Sequence, residues 1–429
     1  MPQPTPLRLA YLVLSWVAIP LLAAHLFWRS LSVPGYRRRI PERFGLRLPP
    51  RPVRPSLWVH AVSVGEVQAA APLIRALLRE YPGMPLVVTT MTPTGSDRVR
   101  ALFGGQVINT YVPYDLVGAV RRFLDWAEPR LAIVMETELW PHLYAQCGQR
   151  GLPLVLASAR ISPRSVARYR RLLPLFRDTL SHGIVIAAQS TADAARFAEL
   201  GAAPERTHVT GNIKFDVELP SDISARGAVL RGEQAPGRPV WIAASTHEGE
   251  EQAVLAAHRL VRRVHPGALL LLVPRHPERF NSVGALLERE GFGYVMRSSG
   301  GRCTPATEVF LGDSMGELTQ FYAAADVAFV GGSLVKVGGH NLLEPAALGV
   351  PALTGPHNFN AADIAAQLIE AGAVDVVGDA GALAERVSAL LTDAGERERR
   401  AAAGHQVLGE NRGSLARLLA LVRPLLAPY

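Results

Sequence analysis

The chain has 429 residues, long for one hydrophobic core, so two domains are expected. Its formal charge of +8, supplied almost wholly by arginine, points to anionic partners: phosphorylated substrates, a membrane surface or nucleic acid. Only Cys147 and Cys303 are present, without metal-type spacing, which argues against a disulfide framework or a zinc site and places the bulk of the chain in a reducing compartment.

The first expected element is an apolar helix over Leu9–Trp28, a stretch free of formal charge and broken only by Pro20 and His25. As a helix it would be about 30 Å long, one hydrocarbon core. Arg29, Arg37, Arg38, Arg39, Arg43 and Arg47 follow it, against Arg8 and the amino terminus before it. That bias puts the C-terminal bulk in the cytoplasm. A cleaved signal peptide, cut near Ala23-Ala24, is the competing reading. Its charge would lie on the other flank and its apolar stretch would be shorter. The segment reads as a membrane anchor, residues 9–28.

From Leu57 onward, short apolar runs alternate with amphipathic segments. Leu57–Val62, Leu86–Thr90, Val107–Tyr111, Leu131–Met135, Leu154–Ala157 and Ile184–Ala187 read as buried parallel strands, with helices such as Val67–Tyr81, Val117–Ala127 and Ser190–Leu200 between them. A second series comprises Val240–Ala244, Leu269–Val273, Tyr294–Met296, Val309–Leu311, Val327–Val330 and Ala352–Leu353. Its helices are Gly249–His265, Arg279–Glu290, Gly316–Ala324, Phe359–Ala371 and Ala380–Leu391. Residues 219–239 are rich in Gly, Pro and Ser, carry no strand signal and read as a linker. The expected fold class is α/β: two doubly wound, Rossmann-like domains, 40–218 and 240–429, facing each other across a cleft.

Ligands of such sheets bind beyond the carboxyl ends of the strands, so the loops there hold the candidate chemistry. Glu66, in His60-Ala-Val-Ser-Val-Gly-Glu66, could take a proton from an attacking hydroxyl, or could merely decorate a helix start. Glu136 and Glu138, beside Trp140, could bind sugar or orient a transition state; solvated acids at a helix start explain them equally. Lys214 could stabilise a departing phosphate or be an ordinary surface lysine. In the second series, Thr246 has the look of an N-cap with acids behind it. Arg275, after Pro274, suits a phosphate or base clamp. Ser314-Met315-Gly316-Glu317 fits a capping box whose exposed N–H groups could still read a base edge.

The most informative run is Gly331 to Pro345, with four glycines and a lysine within nine residues ahead of a short apolar helix. Glycines let backbone approach a ligand, and a helix start offers free N–H groups, so phosphate is the expected guest. Glu344 could accept both hydroxyls of a ribose. A tight turn capped by His340 or Asn341 is the alternative. No Asp-x-Asp pair is evident, so no obligatory Mg²⁺ and no other cofactor is expected.

Taken in order, Arg43-Phe-Gly45, Val62-Ser-Val-Gly-Glu66, Glu136-Thr-Glu-Leu-Trp-Pro141, Gly211-Asn-Ile-Lys-Phe-Asp216, Ser245-Thr-His-Glu-Gly-Glu-Glu251, Pro274-Arg-His-Pro277, Gly331-Gly-Ser333 and Asn341-Leu-Leu-Glu-Pro345, together with the N-terminal anchor, resemble the Kdo transferases. These are membrane-anchored GT-B glycosyltransferases of lipopolysaccharide assembly, which move 3-deoxy-D-manno-octulosonic acid (Kdo) from CMP-Kdo to the tetra-acylated lipid A precursor. The resemblance covers nearly the whole chain and implies roles. Glu66 matches the general base, and Glu136 and Lys214 match stabilisers of the transition state. Pro274, Arg275, Met315, Gly316, Glu317, Asn341, Leu342, Leu343 and Glu344 match the CMP-Kdo contacts. It implies an acceptor domain at 40–218, a donor domain at 240–429, and catalysis at the cytoplasmic face of a bacterial inner membrane whose anionic surface the Arg37–Arg39 cluster would meet. No nucleic acid partner is expected. A UDP-sugar transferase, a sugar-nucleotide epimerase and a non-catalytic binding module are the rivals.

Overall fold

The computed structural model describes residues 6–53, 55–170 and 173–426. The amino terminus, the side chain of Arg8 and residues 427–429, which the sequence reading gave to the anchor flank and the second domain, lie outside the described part. The chain divides into two compact units, residues up to Asp216 together with those from Arg412 onward, and Val217–Asn411.

The first unit is built on seven parallel strands: β1 (Ser56–His60), β2 (Leu86–Thr90), β3 (Ile108–Tyr111), β4 (Pro129–Met135), β5 (Leu154–Ala159), β6 (Val185–Ala188) and β7 (Thr207–Val209), in the order β3-β2-β1-β4-β5-β6-β7. Successive side chains of a strand point to opposite faces, and here both faces are covered. Leu57, Val59, Leu131 and Ile133 enter one core while Trp58, Ala132 and Val134 enter the other, so the strands read as unbroken apolar runs. Strand order reverses between β1 and β4, which opens a crevice at their carboxyl ends.

The second unit repeats the plan with β8 (Val240–Thr246), β9 (Leu269–Pro274), β10 (Tyr294–Met296), β11 (Val309–Leu311), β12 (Val327–Val330), β13 (Ala352–Thr354) and β14 (Val374–Val376), ordered β10-β11-β9-β8-β12-β13-β14. Its reversal lies between β8 and β12. The expected strands are all present. β7 and β14 escape the sequence because they are three-residue edge strands, partly exposed and so without an apolar run.

Two expected boundaries shift. The stretch read as a linker contains the helix Ile223–Gln234, which belongs to the second unit: Arg231 donates to Ala324 O (3.0 Å) and pairs with Asp326 (2.8 Å). The helix Ser414–Leu426, assigned to the second domain on sequence, packs on the first. Its Leu418, Leu419, Val422 and Leu426 join the core that holds Val59 and Ile133. Asp216 fastens its start by accepting from Gly413 N (2.7 Å) and Leu415 N (2.5 Å).

The apolar N-terminal helix runs Pro6–Ser32, with Ala10–Leu31 long and apolar enough to cross a membrane. One side of it docks on the first unit: Tyr11 donates to Asp115 (2.9 Å), and Leu26 packs with Tyr114, Leu116 and Ala119. The other side shows Val13, Leu14, Trp16, Val17, Leu21 and Trp28, each 59–70 % exposed. The basic segment behind it is only partly free. Arg39 pairs with Glu42 (2.7 Å), and Arg43 is buried with its guanidinium 4.1 Å from the centre of the Tyr111 ring, leaving Arg29, Arg37, Arg38 and Arg47 exposed. Of the Arg37–Arg39 cluster expected to meet a membrane, Arg39 is thus turned inward by its carboxylate partner.

Candidate active site

In the first unit the loops after β1, β4 and β7 bring the three sequence-predicted residues together. The helix Val64–Glu80 begins after Ser63, which puts Glu66 in its first turn. Val62 N–H donates to Glu66 Oε2 (2.8 Å), while the Ser63 hydroxyl lies 3.5 Å from Oε1. The helix-start reading therefore accounts for one oxygen of the carboxylate. Burial, with the charges of Glu136 and Glu138 adding to it, raises the Glu66 carboxyl to about 7. Glu136 receives the Lys214 ammonium on Oε1 (2.8 Å), and Arg160 stands 3.4 Å from Oε2. Neither Glu136 nor Lys214 is a freely solvated side chain: each is tied to the other and partly buried. Glu138 accepts from Trp140 Nε1 (2.6 Å), and burial raises its carboxyl too.

Lys214 sits in a single 3₁₀ turn, Ile213–Phe215, held from two directions. Asn212 Oδ1 accepts Lys214 N–H (3.0 Å), and Arg417 on the returning C-terminal helix donates to Thr210 O (2.8 Å). Backbone strain marks strand ends in each unit. Glu136 (φ 56°), Ser158 (φ 52°) and Ser245 (φ 56°) occupy the left-handed region at the carboxyl ends of β4, β5 and β8. Each costs about 1–2 kcal/mol, and such residues cluster where a fold serves a site. The β5 and β8 positions coincide with breaks in strand register.

The second unit departs from expectation at its glycine run. Glu250, wholly buried, accepts four backbone N–H groups: His247 (3.0 Å) and Gly332 (2.7 Å) on Oε2, Ser333 (2.9 Å) and Leu334 (2.9 Å) on Oε1. Gly331 donates to Ala244 O, and both Gly338 and Gly339 donate to Gly332 O. These amides, expected to cradle a phosphate, are committed within the protein. The glycines serve close packing instead. A Cβ on Gly331 would lie 2.8 Å from Glu250, and one on Gly332 (φ 69°) would lie 2.8 Å from the His340 ring.

Two capping expectations also fail, for the same kind of reason. Thr246 continues β8, opposite Pro274, and the following helix, Glu250–Val264, starts from Gly249 because Glu250 is drawn inward to the amides. Ser314 does not cap the helix Leu318–Ala323. Its hydroxyl donates to Glu317 Oε2 (2.5 Å), and Glu317 forms a two-pronged pair with Arg297 (2.8 and 3.1 Å). Gly316 (φ 85°) turns that loop, and Met315 is exposed. Asn341 does cap: its Oδ1 accepts Leu343 N–H (3.1 Å), and its amide donates to Glu344 Oε1 (3.1 Å). Arg275 lies near enough to His340 to depress it, and the helices carrying Glu344 and following Glu317 are neighbours, so the three sequence-predicted loops converge.

Residues 38–217 match the family described as 3-deoxy-D-manno-octulosonic-acid transferase (kdotransferase), and residues 303–407 match glycosyl transferases group 1. The chain is 45 % identical over 424 residues to the 3-deoxy-D-manno-octulosonic acid transferase of Haemophilus influenzae, covering 98 % of this chain and 99 % of that one. This chain belongs to the Kdo transferase family. The Bordetella pertussis Kdo transferase is 40 % identical, with 91 % and 93 % covered. Among solved structures, the UDP-GlcNAc 2-epimerase of Neisseria meningitidis bound to UDP-GlcNAc superposes with a TM-score of 0.58 at 14 % identity, over 86 % of this chain and 100 % of that one. That likeness establishes the shared GT-B fold; the transferase relatives, similar along nearly the whole chain, set the epimerase reading aside.

This Kdo transferase is a glycosyltransferase, and some of its site was invisible in the sequence. Arg160, beside Glu136, and Glu250, beneath the glycine loop, were not singled out. Nor were His247 and His276, while His340 was read only as a possible turn cap; they are three imidazoles on three loops, with His247 Nε2 2.8 Å from His340 Nε2 and the His247 and His276 ring centres 5.2 Å apart. The available signal was that His247 and His276 lie within strand-end motifs and His340 closes the glycine run.

Proposed function

We propose that this Kdo transferase moves Kdo from CMP-Kdo to the tetra-acylated lipid A precursor by direct displacement, with Glu66 as general base. The observation that carries this is the state of Glu66, a half-buried carboxyl raised to about 7, with one oxygen held and the other in only a long contact. A base works best when its proton affinity matches the working pH. Glu66 takes the proton of the acceptor hydroxyl, whose oxygen bonds to the anomeric carbon of Kdo. The bond from that carbon to the phosphate oxygen breaks, and its electron pair leaves with CMP. Lys214, fixed by Glu136, supplies positive charge for the transition state. Pro274-Arg275, Met315–Glu317 and Asn341–Glu344 contact the donor.

The acceptor lies in a membrane. The N-terminal helix, docked through Tyr11 and Leu26 and apolar on its outward side, suits lipid contact at a bacterial inner membrane. Exposed Arg29, Arg37, Arg38 and Arg47 on its C-terminal flank favour a cytoplasmic location for both units, and each adds about 1 kcal/mol toward anionic headgroups.

The test is transfer of labelled sugar from CMP-Kdo to the tetra-acylated precursor by membranes carrying the protein, beside a Glu66→Ala variant. Transfer is expected to vanish in the variant while CMP-Kdo still binds. No transfer by the wild type, or persistence in the variant, overturns the reading.

A further inference from the structure

Glu250 holds the Gly332, Ser333 and Leu334 amides, and backbone carbonyls hold those of Gly331, Gly338 and Gly339, so the glycine amides of the loop are not offered to the donor's anionic group. Besides Lys336, which is exposed within the loop itself, the basic side chains gathered beside it are His247, His340, His276 and Arg275. His247 and His340 are joined Nε2 to Nε2 at 2.8 Å, with ring planes within 7° of each other and centres 5.0 Å apart, which fits two imidazoles hydrogen-bonded edge to edge. One proton occupies that contact, so the pair carries either no charge or a single positive charge, and each ring keeps its Nδ1 for another partner. His276 meets His247 edge to face. Among the described residues Arg275 forms no ion pair, and all four side chains are only partly buried.

The charges facing the pair are unequal. His247 faces His276, Arg275 and Arg279 against Glu250, and His340 faces Arg275 and His276. Glu250 already accepts four amides, and Arg279 is paired with Glu251 (3.0 Å) and Glu248 (3.4 Å). Burial first, then these cations, lowers His247, and lowers His340 to about 4. The empty His247–His340 pair is therefore neutral near pH 7, beside the charged Arg275. A dianion placed on it reverses the balance and draws a proton from solvent onto the pair. A metal cation is a poor alternative guest, because both Nε2 atoms are turned to each other and Arg275 repels it.

We propose that the His247–His340 pair and Arg275 form the seat of the donor's phosphate, and that this seat meets the charge released as the sugar departs. The phosphate oxygen keeps the electron pair of the broken bond, and the seat contributes hydrogen bonds without supplying a proton to the products. This rests on the nucleotide-donor reading and names the residues that would make it work without the glycine-loop amides.

The experiment is calorimetric binding of CMP and of cytidine to the detergent-solubilised full chain between pH 6 and 8.5. Wild type, His340→Gln, His247→Gln and Arg275→Gln are compared. Gln keeps a hydrogen bond but cannot take a proton, and His340→Phe serves as a second variant should either Gln variant misfold. Above pH 7, where CMP is already a dianion, wild-type affinity for CMP is expected to fall as pH rises. The histidine variants bind CMP at least about tenfold more weakly with cytidine unchanged, and lose that slope. Arg275→Gln weakens CMP at every pH and keeps it. An unchanged CMP-to-cytidine ratio in both histidine variants, or a wild-type slope retained in them, overturns the seat. Preference of the wild type for UMP over CMP overturns the donor reading instead, and the UMP-to-uridine ratio then judges the seat in the same way.

Discussion

Replacing Glu250 tests how the second unit is held together at its strand crossing. The carboxylate has no exposure and accepts four N–H groups at 2.7–3.0 Å, three of them from residues more than 80 positions away. Glu250→Ala strands these donors. A buried donor left unmade costs about 1–3 kcal/mol, and water entering the vacated space would restore one or two, so a net loss of about 4 kcal/mol is expected. Glu250→Gln keeps one acceptor oxygen but turns an amide N–H₂ toward two donors, for a loss of about 3 kcal/mol. Glu248→Gln, at a side chain 89 % exposed, is the neighbouring control and should stay within about 0.5 kcal/mol. Hydrogen exchange resolved to the peptides spanning β8 and the loop after β12 reads the local opening energy without requiring the two units to unfold together. A Glu250→Gln protein whose Gly332–Leu334 amides exchange within a factor of five of wild type would refute the argument.

Three further outcomes are expected. The rate constant kcat/KM should rise with pH along a limb near 7 set by Glu66. Stability should move the other way, since between about 4.5 and 7 the folded state binds more protons than the unfolded one, so stability falls as pH rises through that window; a pH–rate profile without that limb would remove Glu66 as the base. Asp216→Ala should cost about 2 kcal/mol by uncapping Gly413 and Leu415, seen as faster exchange across Ser414–Leu426, and unchanged protection there counts against the brace on the Lys214 turn. Gly355→Ala would drive a Cβ into the Ser333 and Leu334 backbone and should destabilise by about 3 kcal/mol or more, whereas Gly105→Ala, with nothing within 4 Å, should be silent in a thermal melt.

Local periodicity by itself determined much of this protein. Strands buried on both faces must be apolar at every position, so Leu57–Val62, Leu131–Met135, Val240–Ala244 and Leu269–Val273 were legible without any structure, as was the apolar N-terminal helix. Motifs at strand ends also stood out, because the chain must turn there with glycine, proline and charge. Other features depended on partners far along the chain. The helix Ser414–Leu426 shows an apolar face, but only the fold shows that it completes the first unit's core. The glycine run looked like a phosphate cradle until Glu250, 82 residues earlier, took its amides. Ser314 and Thr246 matched capping patterns that Arg297 and the extension of β8 overrode. The facing of His247 and His340, 93 residues apart, has no local signature at all. Periodicity is a property of neighbours in sequence, which backbone geometry ties together. The satisfaction of a buried donor or charge is settled among neighbours in space, and only the packed units bring those together.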